Sequence, residues 1–258
     1  MKFSIAVMMG VCLCVTGFSG PNAACAASGD SAAIRVISSM ATRPILTGLF
    51  ARFEKETGQK ISLESVGGVT AAKRVEAGEA FDLVILASNA IDTLIASGKI
   101  EQGGKVDLVK SGVAIAVRKG ARTFAVNNEE AVKQAVLQAG TVSYSTGPSG
   151  VYLSRLFERW GIAGQIKDRI VRPAPGIPVG SLVAKGEVEL GFQQLSELMH
   201  VDGIVVLGPL PADIQTTTVF SAGITTTTKQ RGAVKQLLTF LTSPQTAKVK
   251  TDNGMDPV

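Results

Sequence analysis

Between Ile34 and Gly98 the chain three times runs from an apolar β-type stretch, through small polar residues, into an amphipathic helical stretch. Ile34–Ile37 leads through Ser38-Ser39-Met40-Ala41-Thr42-Arg43 to a helix predicted over Pro44–Glu56. Ile61–Val66 leads through Gly67-Gly68 to a helix over Val69–Ala77, stopped by Gly78. Phe81–Leu86 leads through Ser88-Asn89 to a helix over Ala90–Ser97, stopped by Gly98. Helices that join successive strands force those strands to run parallel, because a parallel pair needs a long crossover where a hairpin would not. The nearly unbroken apolar run Phe81–Leu86 agrees, since a parallel strand is buried on both faces. In such a sheet the strand ends, and therefore the polar loops, open on one crevice.

A second set follows. Strands are expected at Val113–Val117, Thr141–Tyr144, Ile170–Arg172, Val188–Phe192, Ile204–Leu207 and Val219–Ile224. Helices are expected over 128–139 with Asn128 as cap, then over 151–160, 193–199 and 229–241, with a last one opened by Ser243-Pro244. Two βα sets followed by returning elements imply an α/β protein of two lobes, crossed near residues 110 and 205–225. The expected division is a signal segment 1–27, lobe 1 from 28–110 plus 220–258, and lobe 2 from 111–219.

The export expectation rests on Lys2, the apolar run Ile5–Val15 and the small residues Ala23-Ala24-Cys25-Ala26-Ala27, with cleavage between Ala24 and Ala27. Asn22 stands where a lipid-attachment motif prefers Leu. Cys12 and Cys14 would leave with that segment, so at most one cysteine would remain and no internal disulfide is expected. The formal charge is +5, but no run of five basic residues occurs and there is one Trp and two Tyr. A nucleic-acid surface needs a basic stripe with stacking aromatics, so none is expected. One histidine excludes a His-rich metal set, and a Ser-His-Asp triad would have to recruit it far from the glycine-rich loops.

The loops suit a small anion. A strand turning straight into a helix leaves the first helical N–H groups free above the strand end. Ser38, Ser39 and Arg43 add two hydroxyls and a guanidinium there, although Thr42 capping and Pro44 at the first helical position also describe an ordinary helix start. Ser145-Thr146-Gly147-Pro148-Ser149-Gly150, entering the helix at Val151, is the second such nest. Asp82, before a buried strand, reads as a structural acceptor, and Trp160-Gly161 as a helix end.

Phe53-Glu54-Lys55-Glu56-Thr57-Gly58, Gly67-Gly68 and Val75-Glu76-Ala77-Gly78 before Phe81-Asp82-Leu83-Val84 resemble the periplasmic molybdate-binding proteins of ABC transporters. The similarity continues through Lys185–Gly191 and Phe240–Pro244. It implies a two-lobed type-2 periplasmic binding fold with the ligand cleft at the hinge. Those receptors hold a tetrahedral oxyanion with serines in the first two βα loops and a late tyrosine. Here the second loop reads Gly68-Val69-Thr70 and the late position Phe192-Gln193-Gln194, while Arg43, with Arg74 or Arg172, offers guanidinium groups suited to planar carboxylates. Ser38-Ser39, the run 77–82 and Gly254-Met255-Asp256-Pro257 are similar to the bacterial aconitate isomerase branch of the fold.

That resemblance implies an allylic proton shift between trans- and cis-aconitate without a cofactor or metal. The ligand residues it implies are Ser38, Ser39, Met40, Arg43, Gly68, Val69, Thr70, Ser88, Ser149, Gly150, Val151, Tyr152 and Gln193. Tyr152, Ser39 and His200 are the catalytic candidates, with Tyr144 a further proton carrier. Tyr152 could instead pack on Leu156, Tyr144 could belong to a core, and His200 could complement a helix C-terminus. The alternative function is a receptor that binds molybdate or another small anion and docks on a transporter permease. Either protein is expected as a periplasmic monomer.

Overall fold

Residues 32–174 and 176–258 are described by a computed structural model. The expected signal segment lies outside the described residues. Strand β1 (Ile34–Ser39) ends in a tight turn, Met40–Thr42, before helix α1 (Arg43–Thr57). Then come β2 (Ile61–Val66), α2 (Gly68–Glu76), β3 (Leu83–Ala87) and α3 (Ser88–Ala96). β1 lies parallel to both β2 and β3, as the crossover pattern requires. Leu83, Ile85 and Leu86 are fully buried, each contributing roughly 1.5–3 kcal/mol. One face of this sheet packs on α1, with Leu46, Leu49 and Phe53. The other face carries Ile37, Val84 and Leu86 against Ala71, Val75, Ile91 and Leu94 of α2 and α3.

The next strand differs from expectation. β4 runs from Ile100 to Arg118, whereas the sequence suggested a strand only at Val113–Val117. Its early part is polar and contains Gly103-Gly104, which reads like a loop. In the structure the pairing register shifts between Ile100 and Lys105, with Gly103 at φ 73°, so the glycines form a bulge inside a continuing strand. β4 is followed by α4 (Glu129–Gln138), β5 (Val142–Tyr144), α5 (Pro148–Arg159) and α6 (Ala163–Ile166). Asn128 caps α4 as expected, accepting from the Ala131 N–H at 2.8 Å. Ile170–Arg172 makes only a single bridge, Val142 to Ile170, and no strand.

Helix α7 (Val179–Lys185) was hidden by the preceding prolines. Strand β6 (Leu190–Gln194) keeps Gln193 and Gln194, so the expected helix 193–199 shrinks to α8 (Leu195–Leu198). The remaining elements are β7 (Ile204–Pro209), β8 (Thr217–Thr225), α9 (Arg231–Thr242), α10 (Ala247–Asp252) and β9 (Asp256–Pro257).

The strand order is β2-β1-β3-β8-β4-β6-β5, with β7 and β9 also on β4. The first part of β4 pairs with β8, and its later part pairs with β6 and β7. β4 therefore threads from one half of the structure into the other. The second half has its own core of Val113, Ile115, Val142, Leu153, Phe157 and Phe192. Among the described residues no helix is long and apolar enough to cross a membrane.

Candidate functional site

A cavity of about 920 Å³ lies where the β1, β2 and β3 loops meet those after β5 and β6. Its first wall begins at Ser39, which is extended and caps the following turn. Its Oγ accepts from the Ala41 N–H at 3.3 Å, and the Thr42 hydroxyl donates to the Ser39 carbonyl at 2.9 Å. The expected cap at Thr42 is thus replaced by one at Ser39, because the chain makes an extra tight turn before α1. That turn carries Arg43 outward, where it is exposed and off the cavity wall. Ser38, one residue before Ser39, points to the opposite face of β1, is fully buried, and bonds Ser65 Oγ at 2.8 Å.

The start of α2 completes this wall with Gly68, Val69, Thr70 and Lys73. Gly67 precedes the helix without a side-chain cap, and the first N–H to find a backbone acceptor is that of Ala71, on the Gly67 carbonyl at 2.9 Å. The N–H groups of Gly68, Val69 and Thr70 therefore have no intrahelical acceptor, which makes this a natural anion nest. The start of α3 contributes Asn89 and Ala90 but leaves Ser88 outside the lining.

The second wall is built from Ser145–Ser149, Val151, Tyr152 and Arg155, with Pro178 and Val179 at the start of α7. Ser145 and Ser149 share a hydroxyl hydrogen bond at 2.8 Å. Gly150 is needed here because a Cβ would overlap the Ser145 carbonyl. The N–H groups of Gly150 and Val151, expected as clamps, both donate to the Gly147 carbonyl at 3.0 and 3.1 Å. Among the first residues of α5, only the Ser149 N–H is then left for a ligand, since Pro148 has none.

Tyr152 lines the cavity, but its hydroxyl donates to the Ile214 carbonyl at 2.9 Å. Tyr144 is buried in the second core, its ring edge-on to Phe157 at 5.8 Å. His200 is exposed, away from the cavity, and pairs with Asn253 Oδ1 at 2.9 Å. The structure thus gathers Ser39, Met40, Gly68, Val69, Thr70, Ser149, Val151, Tyr152 and Gln193, and leaves Ser38, Arg43, Ser88, Gly150 and His200 outside.

The cations of the site differ from those expected. Arg74 is held by Glu64 and Glu79, whose carboxylates are drawn below the usual range chiefly by its hydrogen bonds. Arg172 stacks on the Tyr144 ring at 5.0 Å. Lys73 and Arg155, one on each wall, are exposed to the cavity, and neither enters an ion pair among the described residues. Each stands four residues beyond a loop residue the sequence did single out, Val69 and Val151, and so shares its helix face.

One acidic group lines the cavity. Glu197 of α8 accepts a hydrogen bond at 2.8 Å from the Gln193 side-chain amide. The Gln193 oxygen in turn accepts from the Gly180 N–H at 3.0 Å, which fixes the amide's orientation. Burial pushes the Glu197 carboxyl up from its ordinary 4.5 to about 7, while the Gln193 bond works weakly the other way. Next to Glu197, the Ser196 hydroxyl donates to the Ala41 carbonyl at 2.9 Å and ties α8 to the turn before α1.

A family model for bacterial extracellular solute-binding proteins matches residues 34–256. The chain is 39% identical over 212 residues to an aconitate isomerase from a Pseudomonas species, covering 80% of each. It is 26% identical over 236 residues to the molybdate-binding protein ModA of Azotobacter vinelandii, covering 88% of this chain and 90% of that one. The structure of the Azotobacter vinelandii periplasmic molybdate-binding protein aligns with a TM-score of 0.73 at 18% identity, over 86% of this chain and 98% of that chain. The α/β architecture is accordingly that of the periplasmic solute-binding proteins.

Proposed function

The chain belongs to the bacterial extracellular solute-binding protein family, and on that premise we propose that it isomerises a small tricarboxylate, interconverting trans- and cis-aconitate in the periplasm after removal of segment 1–27. The observation that carries this reading is the pair of cations Lys73 and Arg155, in no ion pair among the described residues and set on opposite walls of a cavity of about 920 Å³. Two cations and the open start of α2 offer three separate places for carboxylates. The 39% identity to an aconitate isomerase supports the same reading.

The reaction moves one proton and one double bond along a three-carbon frame, and it calls on no cofactor. Removing the methylene proton places carbanion character next to a carboxylate. Donors that hold that carboxylate stabilise the charge as it develops, and they are most effective when already oriented. The Gly68, Val69 and Thr70 N–H groups are held by the helix, so little reorganisation is needed. Thr70 and Ser149 add hydroxyl donors from opposite walls. The switch of β4 from β8 to β6 and β7 supports lobes of residues 28–110 plus 220–258 and 111–219, closing over the ligand.

The second reading is a receptor for molybdate or another small anion, delivering it to a transporter permease. It is favoured by the same α2 nest of neutral donors and by the likeness to a molybdate-binding protein. Incubating the mature protein with trans-aconitate and following cis-aconitate by chromatography separates the two. Absence of turnover, together with tight molybdate binding by calorimetry, would sink the isomerase reading.

A further inference from the structure

The isomerase reading needs a group that takes a proton from carbon and gives it back, and the residues expected for this are committed elsewhere. The Tyr152 hydroxyl is bonded to Ile214, His200 is outside the cavity, and Ser39 Oγ caps a turn. Glu197 differs from all of them. One of its oxygens is held by Gln193, and the other has no hydrogen-bond partner among the described residues. Gln193 is itself fixed by the Gly180 N–H. Gly180 packs so closely on α8 that an added Cβ would stand 3.2 Å from Leu198. The carboxyl is therefore aimed, held by a neutral donor, and placed on a wall of the ligand cavity.

Resting on the isomerase reading, we infer that Glu197 is the catalytic acid–base residue that carries the proton between the two ends of the aconitate allyl system. Its carboxylate removes a proton from the methylene carbon, and the C–H electron pair spreads over the three-carbon frame and its carboxylate. The same carboxyl then returns the proton to the other terminal carbon, and the double bond settles between the remaining two. One C–H bond breaks, one forms, and no oxidant, reductant or third reactant takes part. A carboxyl pushed up to about 7 by burial suits both halves, since near neutrality it accepts and releases a proton with comparable ease. The charged and titratable side chains sharing its cavity are Lys73 on α2 and Tyr152 and Arg155 on α5. None of them contributes to its displacement, which comes from burial opposed by Gln193.

The test uses the full mature protein with trans-aconitate as the probe. Wild type, Glu197→Gln and Glu197→Asp are assayed for cis-aconitate by chromatography, for deuterium uptake into recovered aconitate by NMR, and for binding by calorimetry. Glu197→Gln is expected to lose turnover and deuterium uptake together by at least about 100-fold. Its dissociation constant should stay within about threefold of wild type, which also shows that it is folded. Glu197→Asp should keep measurable turnover with the acid limb of its pH profile moved. Turnover in Glu197→Gln within about threefold of wild type overturns the inference and leaves the isomerase reading standing. A wild type that binds trans-aconitate but neither converts it nor exchanges its protons overturns the isomerase reading, and this inference with it.

Discussion

Replacing Glu197 by glutamine separates its charge from its shape, and stability against pH reads the difference without any ligand. In the unfolded chain the carboxyl ionises near 4.5, whereas in the folded protein burial holds the proton until about pH 7. Between those values the unfolded state binds fewer protons than the folded one, so stability falls as pH rises. The full loss is present above about pH 7 and absent below about pH 4.5. At about 1.4 kcal/mol per pH unit, the displacement from 4.5 to about 7 comes to roughly 3 kcal/mol. Glutamine keeps the hydrogen bond to Gln193 and has no proton to lose, so the variant should not show this loss. Urea unfolding of both proteins at pH 4.5, 6 and 8.5 gives the comparison, and other titrating groups cancel between them. With a slope of about 3 kcal/mol per molar urea, the variant's midpoint should gain about 1 M on wild type across that range. A constant offset at all three pH values would refute the reasoning, since burial would then not be raising the carboxyl.

Other substitutions address the walls of the cleft. Lys73→Ala and Arg155→Ala should each weaken trans-aconitate binding by about 1 kcal/mol, with the effect shrinking as salt rises, measured by calorimetry. Arg43→Ala should leave that affinity within about 0.3 kcal/mol of wild type, because Arg43 is exposed outside the cavity. Gly150→Ala should cost about 3 kcal/mol or more in chemical denaturation, since its Cβ would overlap the Ser145 carbonyl and force the start of α5 to shift. Asp82→Ala should cost about 2–3 kcal/mol in the same assay. It would orphan the Arg35 N–H and the Thr228 hydroxyl, which Asp82 accepts at 2.9 and 2.6 Å, and remove one of two acceptors of the Gln230 amide, which keeps the Ala33 carbonyl at 3.2 Å.

The fold was legible because its signals are local. The apolar runs of β1, β2 and β3 and the glycines that close the intervening helices are adjacent in sequence, and they dictate parallel pairing. β4 was read too short because its stabilisation is not local. Lys105, Asp107 and Lys110 look like loop residues until β8 is laid beside them. The lining of the candidate cavity followed the same division. Ser39, the α2 start and Ser149 lie in βα loops and were read directly. Lys73 and Arg155 each sit four residues beyond Val69 and Val151, and one further step along each helix face would have included them. Glu197 was missed because Gln193 ends β6 and α8 begins only at Leu195, so the two do not share a helix face. Arg43 misled for a related reason. A single extra turn at Met40–Thr42 rotates the start of α1, and no pattern in the sequence distinguishes a guanidinium facing the cleft from one facing solvent.

The place of β8 in the strand order has a consequence for how the chain matures. β8 sits between β3 and β4, so the sheet of the first half stays open down its middle until residue 225 has been made. The second half needs nothing beyond β7, which ends at Pro209, to pair its strands. During synthesis from the N-terminus, the later half can therefore close while β3 still presents five apolar residues along an unpaired edge. That edge is a template for association between nascent copies. Truncation after Thr216, which keeps Leu210, Ile214 and Gln215 with the second core, should accordingly yield a folded second half attached to an aggregating first half. The C-terminal segment thus acts as the seam that makes the earlier strands safe.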